Sequence, residues 1–73
     1  MNNCRVLLAD DEAAILEGYK LLFDWGKYQC EIAGTAMDGQ EAVEKARELR
    51  PDIVIMDINL PKLNGLEAIR AIQ

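Results

Sequence analysis

The 73-residue chain contains no histidine, only two cysteines and two prolines, and few aromatic residues. Without histidine, two cysteines cannot form a closed zinc site. We expect Cys4 and Cys30 to be two partly buried thiols, and a disulfide between them is the less favoured alternative in a reducing compartment. No apolar run approaches the roughly 18 residues of a membrane span, and the first residues lack the pattern of a secretion signal. We therefore expect neither a zinc module nor a membrane protein, and we place the chain in the cytoplasm.

Basic residues are also few, with 8 Lys and Arg against 13 Asp and Glu and a net charge of −5. They are scattered between Arg5 and Arg70 and form no run, which argues against direct nucleic-acid contact in this segment. With 51% hydrophobic and 29% charged residues, the composition is typical of a globular α/β protein. The length allows at most one small domain, residues 1–73, without a second domain.

Three apolar segments are predicted to form strands. The first, "RVLLA" at 5–9, is a continuous apolar run, as expected for a strand covered on both faces. "CEIAGTA" at 30–36 is a weaker candidate, and "DIVIMD" at 52–57 is the strongest because it is rich in β-branched residues. Since helical patterns separate the three segments, we expect βαβ units and a parallel sheet with right-handed crossovers.

Helical patterns follow each predicted strand. The second helix opens at Asp38, an N-cap residue with Glu41 three positions later, and Pro51 stops it. A third helical pattern resumes at Gly65. The first helix is expected to be amphipathic, with one apolar stripe that consists of Ile15, Leu16, Tyr19, Leu22 and Phe23.

Carboxylates stand at the carboxyl ends of the first and third predicted strands. Asp10 and Asp11 follow the first strand, and Asp57 closes the third. Ligands bind at this edge of an open parallel sheet, so the three carboxylates would converge if the two strands are neighbours. Their mutual repulsion is relieved by a cation, and hard oxygen ligands favour Mg²⁺. The structural alternatives are that the pair is a solvated helix start and that Asp57 simply terminates its strand.

The motifs "LLADDE" and "DIVIMDINLPKLNGLEAI" together resemble the receiver domains of two-component response regulators, from about Arg5 to the last residue. The combination is specific: an acidic pair, an Asp closing the third strand, then Pro four residues and Gly eight residues beyond it. "FDW" at 23–25 is similar to the branch joined to AraC-type DNA-binding modules. The resemblance implies a flavodoxin-like (CheY-like), doubly wound parallel sheet of order 2-1-3, truncated to three of five expected strands plus the start of the third helix.

The resemblance also implies roles for individual residues. Asp57 would be the phosphoacceptor, phosphorylated by a sensor histidine kinase. Asp11, Asp57 and the backbone carbonyl of Asn59 would bind Mg²⁺ directly, and Asp10 would act mainly through a metal-bound water. The full-length protein would carry an output domain, such as a DNA-binding domain that regulates transcription. Such a module is not an enzyme in its own right.

The loop after Asp57 would be shaped by Pro61 and Gly65, and Lys62 is expected to be a solvated loop charge. In the family, a hydroxyl residue closes the fourth strand and a lysine closes the fifth; neither can be assigned here. The third strand would then be an uncovered edge, so we expect self-association through it. A self-associating fragment without phosphotransfer is the alternative. A Mg²⁺-dependent phosphohydrolase with an aspartate nucleophile is less favoured, because the acidic pair is adjacent and lacks D-x-D spacing.

Overall fold

The computed structural model of the chain describes residues 4–57, 60, 62 and 65–72, with the backbone alone at 65, 66 and 69. None of the helices in this part of the chain has the length and apolar character needed to cross a membrane. The regular elements alternate along the chain as β1 (Cys4–Ala9), α1 (Ala13–Leu22), a 3₁₀ turn (Gly26–Tyr28), β2 (Cys30–Ala36), α2 (Gly39–Leu49), β3 (Ile53–Met56) and α3 (Gly65–Ile72).

The three strands form a parallel sheet in the order β2-β1-β3, which confirms the predicted fold class and strand order. The central strand β1 is buried on both faces, with side chains between 0% and 3% exposed from Val6 to Ala9. The register with β2 shifts by one residue, because Val6 pairs with Ile32 and Leu7 pairs with Gly34. A Cβ at Gly34 would lie 2.8 Å from Cδ1 of Leu49, so the missing side chain lets α2 approach the sheet closely.

Helix α2 covers one face of the sheet and buries Ala42, Val43 and Ala46. Its predicted start is confirmed, since the Asp38 carboxylate accepts a 2.7 Å hydrogen bond from the backbone amide of Glu41. The Glu41 carboxylate accepts a second one, 3.1 Å long, from the backbone amide of Met37, a variant of the capping box. The helix ends where the backbone turns left-handed at residue 50 (φ 49°), directly before the next proline.

Helix α1 forms where it was predicted, but most of its apolar stripe is exposed to solvent. Leu16 is the one buried side chain of the helix and packs against Val6 and Leu8 of β1. A helix buries only side chains that face a neighbouring element, and among the described residues the three-stranded sheet fully covers Leu16 alone of this stripe. The rest of the stripe is 39% to 88% exposed, namely Ile15, Tyr19, Leu22 and Phe23.

Candidate functional site

The carboxyl ends of the three strands are joined by backbone hydrogen bonds that continue past the last strand residues. The amide of Asp57 donates to the carbonyl oxygen of Ala9 over 3.1 Å, and the amide of Asp10 donates to the carbonyl oxygen of Ala36 over 3.0 Å. In parallel sheets these bonds run between adjacent chains at a fixed spacing. Asp10 and Asp57 are therefore held side by side at one edge of the sheet.

Three carboxylates meet at this edge. Asp10, Asp11 and Asp57 each offer one oxygen, and these oxygens lie within 4.8 Å of one another. Residues 46 positions apart in the sequence, Asp11 and Asp57, are thereby brought together. Asp11 is exposed to solvent and Asp10 is half-buried. Such a cluster of hard oxygen donors fits a small divalent cation, which offsets their mutual repulsion.

Asp10 also has a structural role. Its Oδ1 accepts a 3.0 Å hydrogen bond from the backbone amide of Glu12, immediately before α1 begins. An Asp side chain that bonds the amide two residues on stabilises a turn. The Asp10 side chain thus stabilises the turn before α1 and also belongs to the acidic cluster. Its second oxygen retains acceptor capacity for a ligand.

A cavity of about 210 Å³ lies against Asp10 and Asp57. Its remaining walls are apolar and come from both strands and α1, including Leu8, Leu16 and Ile55. A larger groove of about 430 Å³ lies along the exposed face of α1 and is lined by apolar residues, Gly18 and Tyr19. That groove contains no charged side chain, whereas the smaller cavity combines carboxylates with a low-dielectric floor, which strengthens charge interactions.

Leu60, which follows β3, lies against the sheet. Leu60 is 4% exposed and packs with Ala9, Ala36 and Ala42 at the carboxyl ends of the strands. Sequence reasoning had not assigned Leu60 to the core; a single apolar residue three positions after Asp57 was the available signal. The predicted metal ligand Asn59 and the loop residue Pro61 lie outside the described residues. Gly65, the other predicted loop residue, is the first residue of α3.

Lys62 makes a contact that the sequence did not predict. Its side chain is 67% exposed, as expected of a loop charge, yet its Nζ lies 3.4 Å from Oδ2 of Asp38. The backbone amide of Glu41, with Lys62 as a further contributor, lowers the pKa of Asp38 below its ordinary range. The ion pair therefore connects the loop that follows β3 to the start of α2.

Comparison with known proteins agrees with this geometry. A family model of the response regulator receiver domain matches residues 6–73. The chain is 48% identical over 68 residues to the chemotaxis protein CheY of Thermotoga maritima, covering 93% of this chain and 55% of that protein. It is 45% identical over 69 residues to the transcriptional regulatory protein YdfI of Bacillus subtilis, covering 94% and 32%. The chain thus spans from a third to about half of the length of these relatives.

Solved structures show the same arrangement. The receiver domain of AraT, a response regulator from Geobacillus stearothermophilus, matches with a TM-score of 0.89 at 38% identity, covering 96% of this chain and 54% of that one. A chain of the CheX–CheY–BeF₃–Mg²⁺ complex from Borrelia burgdorferi matches with a TM-score of 0.79 at 31% identity, covering 93% and 51%. A flavodoxin-like sheet with clustered carboxylates at its carboxyl edge defines the class of protein. The chain belongs to the response regulator receiver domain family.

Proposed function

We propose that this chain is a phosphoacceptor module of two-component signal transduction, in which Asp57 takes a phosphoryl group from a sensor histidine kinase. The observation that carries the proposal is the cluster of Asp10, Asp11 and Asp57, with oxygens within 4.8 Å of one another, in a member of the receiver family. A receiver accepts one group and does not turn over a substrate of its own. We therefore assign no enzymatic activity to the chain.

In the proposed transfer, a carboxylate oxygen of Asp57 attacks the phosphorus atom of the donor. A P–O bond forms, the P–N bond to the kinase histidine breaks, and the product is an acyl phosphate. Aspartate carboxylates are an established type of nucleophile in phosphoryl transfer. Because this chemistry depends mainly on positioning and charge neutralisation, the hydrogen bond between Asp57 and Ala9 at the end of β1 serves it by holding the nucleophile in place.

The donor set supports Mg²⁺ as the cofactor. Asp11, Asp57 and the backbone carbonyl of Asn59 would bind the ion directly, and Asp10 would act mainly through a metal-bound water. Mg²⁺ commonly takes one or two carboxylates and keeps several waters, which fits three clustered carboxylates. Bound there, the ion supplies positive charge against the oxygens of the incoming phosphoryl group. The CheX–CheY complex from Borrelia burgdorferi contains Mg²⁺ together with BeF₃.

The loop after Asp57 is proposed to respond to phosphorylation. An acyl phosphate adds negative charge and strong acceptor oxygens next to this loop. Pro61 and Gly65 would shape the loop. The buried Leu60 contacts the sheet, and Lys62 forms an ion pair with Asp38 at the start of α2. A change of charge at the acceptor would thus reach the neighbouring helix through these two contacts.

We further propose that residues 1–73 are the amino-terminal portion of a longer cytoplasmic receiver protein. The aligned region covers only 55% of the length of the CheY relative. This coverage supports the proposal that the chain contains three of the five strands of a receiver domain. The name of the YdfI relative, a transcriptional regulatory protein, supports a DNA-binding output domain. The "FDW" motif at 23–25 supports an output domain of the AraC type.

The 73-residue chain by itself is proposed to self-associate through β3. Within the described part of the chain, β3 pairs with β1 alone and its other edge is open. The strand is apolar, with Ile53 44% exposed, and an open apolar edge is a template for pairing with another strand. A self-associating fragment without phosphotransfer is the second candidate function, and this edge is the observation that favours it.

The deciding experiment is intact mass measurement after incubation with Mg²⁺ and a small acyl-phosphate donor. We expect the parent chain to gain the mass of one phosphoryl group, and Asp57→Asn to gain none because the amide is a poor nucleophile. Glu48→Gln, which alters an exposed carboxylate on α2, is the matched control and should behave as the parent does.

Each result has one meaning. Labelling of the parent and Glu48→Gln but not of Asp57→Asn supports phosphoacceptance at Asp57. Labelling of all three chains would place the acceptor elsewhere. No labelling of any chain would favour the self-associating fragment over the phosphoacceptor.

A further inference from the structure

The two cysteines of the chain lie directly opposite each other at the start of the sheet. Cys4 opens β1, Cys30 opens β2, and the two are Cα partners in the parallel ladder. Neighbouring strands lie about 4.7–4.9 Å apart, inside the roughly 4.4–6.8 Å between Cα atoms that a disulfide spans. Partners in a parallel ladder point to the same face of the sheet, so both thiols lie on one side.

Both cysteines are free and half-buried, and Cys30 is close enough to contribute to the raised pKa of the Cys4 thiol. The Cys30 thiol also donates a 3.4 Å hydrogen bond to the carbonyl oxygen of Tyr28. This bond holds the Cys30 sulfur close to the 3₁₀ turn that precedes β2. The ladder pairing therefore places the two Cα atoms at a separation that a disulfide can span.

We propose that Cys4 and Cys30 form a thiol pair that low-molecular-weight disulfides oxidise to an intramolecular disulfide. A thiolate of the pair attacks one sulfur of the oxidant, forming a mixed disulfide and releasing one small thiol. The second cysteine then attacks the mixed disulfide, forms the Cys4–Cys30 bond and releases the second small thiol. Two protein thiols are oxidised and one small disulfide is reduced to two thiols.

The position of the pair determines what its oxidation would change. Cys4 and Cys30 lie at the amino-terminal ends of β1 and β2, whereas the carboxylate cluster lies at the carboxyl ends. Burial, together with Cys30 and Asp52 nearby, raises the pKa of the Cys4 thiol, so its thiolate fraction is small at neutral pH and its attack on a disulfide is slow. The bond would close the segment between the strands, including α1, and restrict the unfolded chain. This inference is independent of the proposed phosphotransfer.

The test compares two arrangements of thiols in the 73-residue chain. Parent protein and the double variant Cys30→Ser/Glu31→Cys are incubated with oxidised glutathione, and the remaining free thiols are alkylated. The intramolecular disulfide is then measured by intact mass as the chain that has lost two hydrogens and carries no alkyl group. Glu31 is the next residue of β2 and points to the opposite face, so the variant lengthens the loop by only one residue and removes the alignment. Both chains are also oxidised in concentrated urea.

We expect the parent to form the intramolecular bond at least about tenfold faster than the variant in native buffer, and equally fast in urea. The oxidised parent should also melt about 5–15 °C higher than the reduced parent, because a disulfide restricts the unfolded state. Equal rates in native buffer would overturn the proposal. A product that consists of intermolecular dimers or of stable glutathione adducts would overturn it as well.

Discussion

The backbone amide of Asp57 donates a 3.1 Å hydrogen bond to the carbonyl oxygen of Ala9. This bond extends the pairing of β1 with β3 by one step beyond Ala9 and Met56, the last ladder partners. Because Asp10 follows Ala9 directly, the spacing of the carboxylates of Asp10 and Asp57 depends on strand pairing. The acidic site and the sheet are therefore parts of one hydrogen-bonded unit.

Removal of one carboxylate should weaken metal binding. We expect Asp11→Asn to raise the dissociation constant for Mg²⁺ by roughly tenfold or more, equivalent to about 1.4 kcal/mol, because a neutral amide replaces an anionic ligand. Isothermal titration calorimetry measures this change. Asp24 lies beyond the opposite end of α1, where its Oδ1 accepts a hydrogen bond from the amide of Lys27. The control variant Asp24→Asn should therefore bind Mg²⁺ as tightly as the parent does. Equal affinities in all three chains would contradict the assignment of Asp11.

Truncation of the central strand should destabilise the fold. Leu8 is 1% exposed in β1, and Leu8→Ala is expected to lower the free energy of unfolding by about 2–5 kcal/mol through lost burial and a residual cavity. Leu22→Ala makes the same chemical change on α1, where the side chain is 88% exposed, and should alter stability by less than about 0.5 kcal/mol. Urea unfolding followed by circular dichroism measures both. Similar losses in the two variants would contradict the described packing.

The N-cap of α2 should contribute to the thermal stability of the chain. The Asp38 carboxylate accepts the Glu41 amide at 2.7 Å, so Asp38→Ala should lower Tm by leaving this donor without its partner. Asp38→Asn retains an acceptor oxygen and should recover most of the loss, except for the part that depends on the ion pair with Lys62. Differential scanning calorimetry separates the variants. A Tm of Asp38→Asn as low as that of Asp38→Ala would assign the effect to charge rather than to capping.

The same carboxylate should make stability depend on pH. Bonding to the Glu41 amide lowers the pKa of Asp38 in the folded chain, so the ionised form is favoured by folding. This contribution is fully present above the ordinary Asp pKa of about 3.9 and is lost as pH falls through the lower folded pKa. The Tm difference between parent and Asp38→Ala should therefore shrink on acidification below about pH 4. A difference that grows in acid would reverse the sign of the linkage.

Charge on the open edge should reduce self-association. Ile53 begins β3 and is 44% exposed, and Ile53→Lys places a charge on a strand edge that is otherwise apolar. We expect the parent mass by light scattering to rise with concentration and that of Ile53→Lys to stay nearer to one chain. Leu21→Lys, on α1 at a position 77% exposed, is the control and should resemble the parent. A parent mass equal to one chain at micromolar concentration would contradict association through β3.

Local patterns predicted the elements well. The bounds of β2 and the N-cap at Asp38 agree with the structure, because each rests on side-chain patterns within a few residues. The strand order implied by the resemblance to receiver domains agrees as well. The prediction that Asp10, Asp11 and Asp57 converge if their strands are neighbours agrees with the observed geometry. That inference needed only the rule that parallel strands end at a common edge.

Contacts between distant segments were harder to predict. The burial of Leu60, the pairing of Lys62 with Asp38 and the alignment of Cys4 with Cys30 depend on register and on the path of a loop. Most of the α1 stripe is exposed, because an amphipathic pattern shows which side of a helix is apolar and not which element packs against it. Of that stripe, Leu16 alone is buried, and it packs against Val6 and Leu8 of β1.

The sequence by itself determined the alternation of strands and helices, the caps of α2 and the placement of acidic residues at strand ends. These features follow from side-chain periodicity and backbone chemistry within a few residues. Tertiary structure alone decided which carboxylate oxygens lie within 4.8 Å of one another, and which two thiols share a ladder position. Such distances depend on strand register and crossover path, which arise from burial summed over the whole sheet and cannot be read from any local segment.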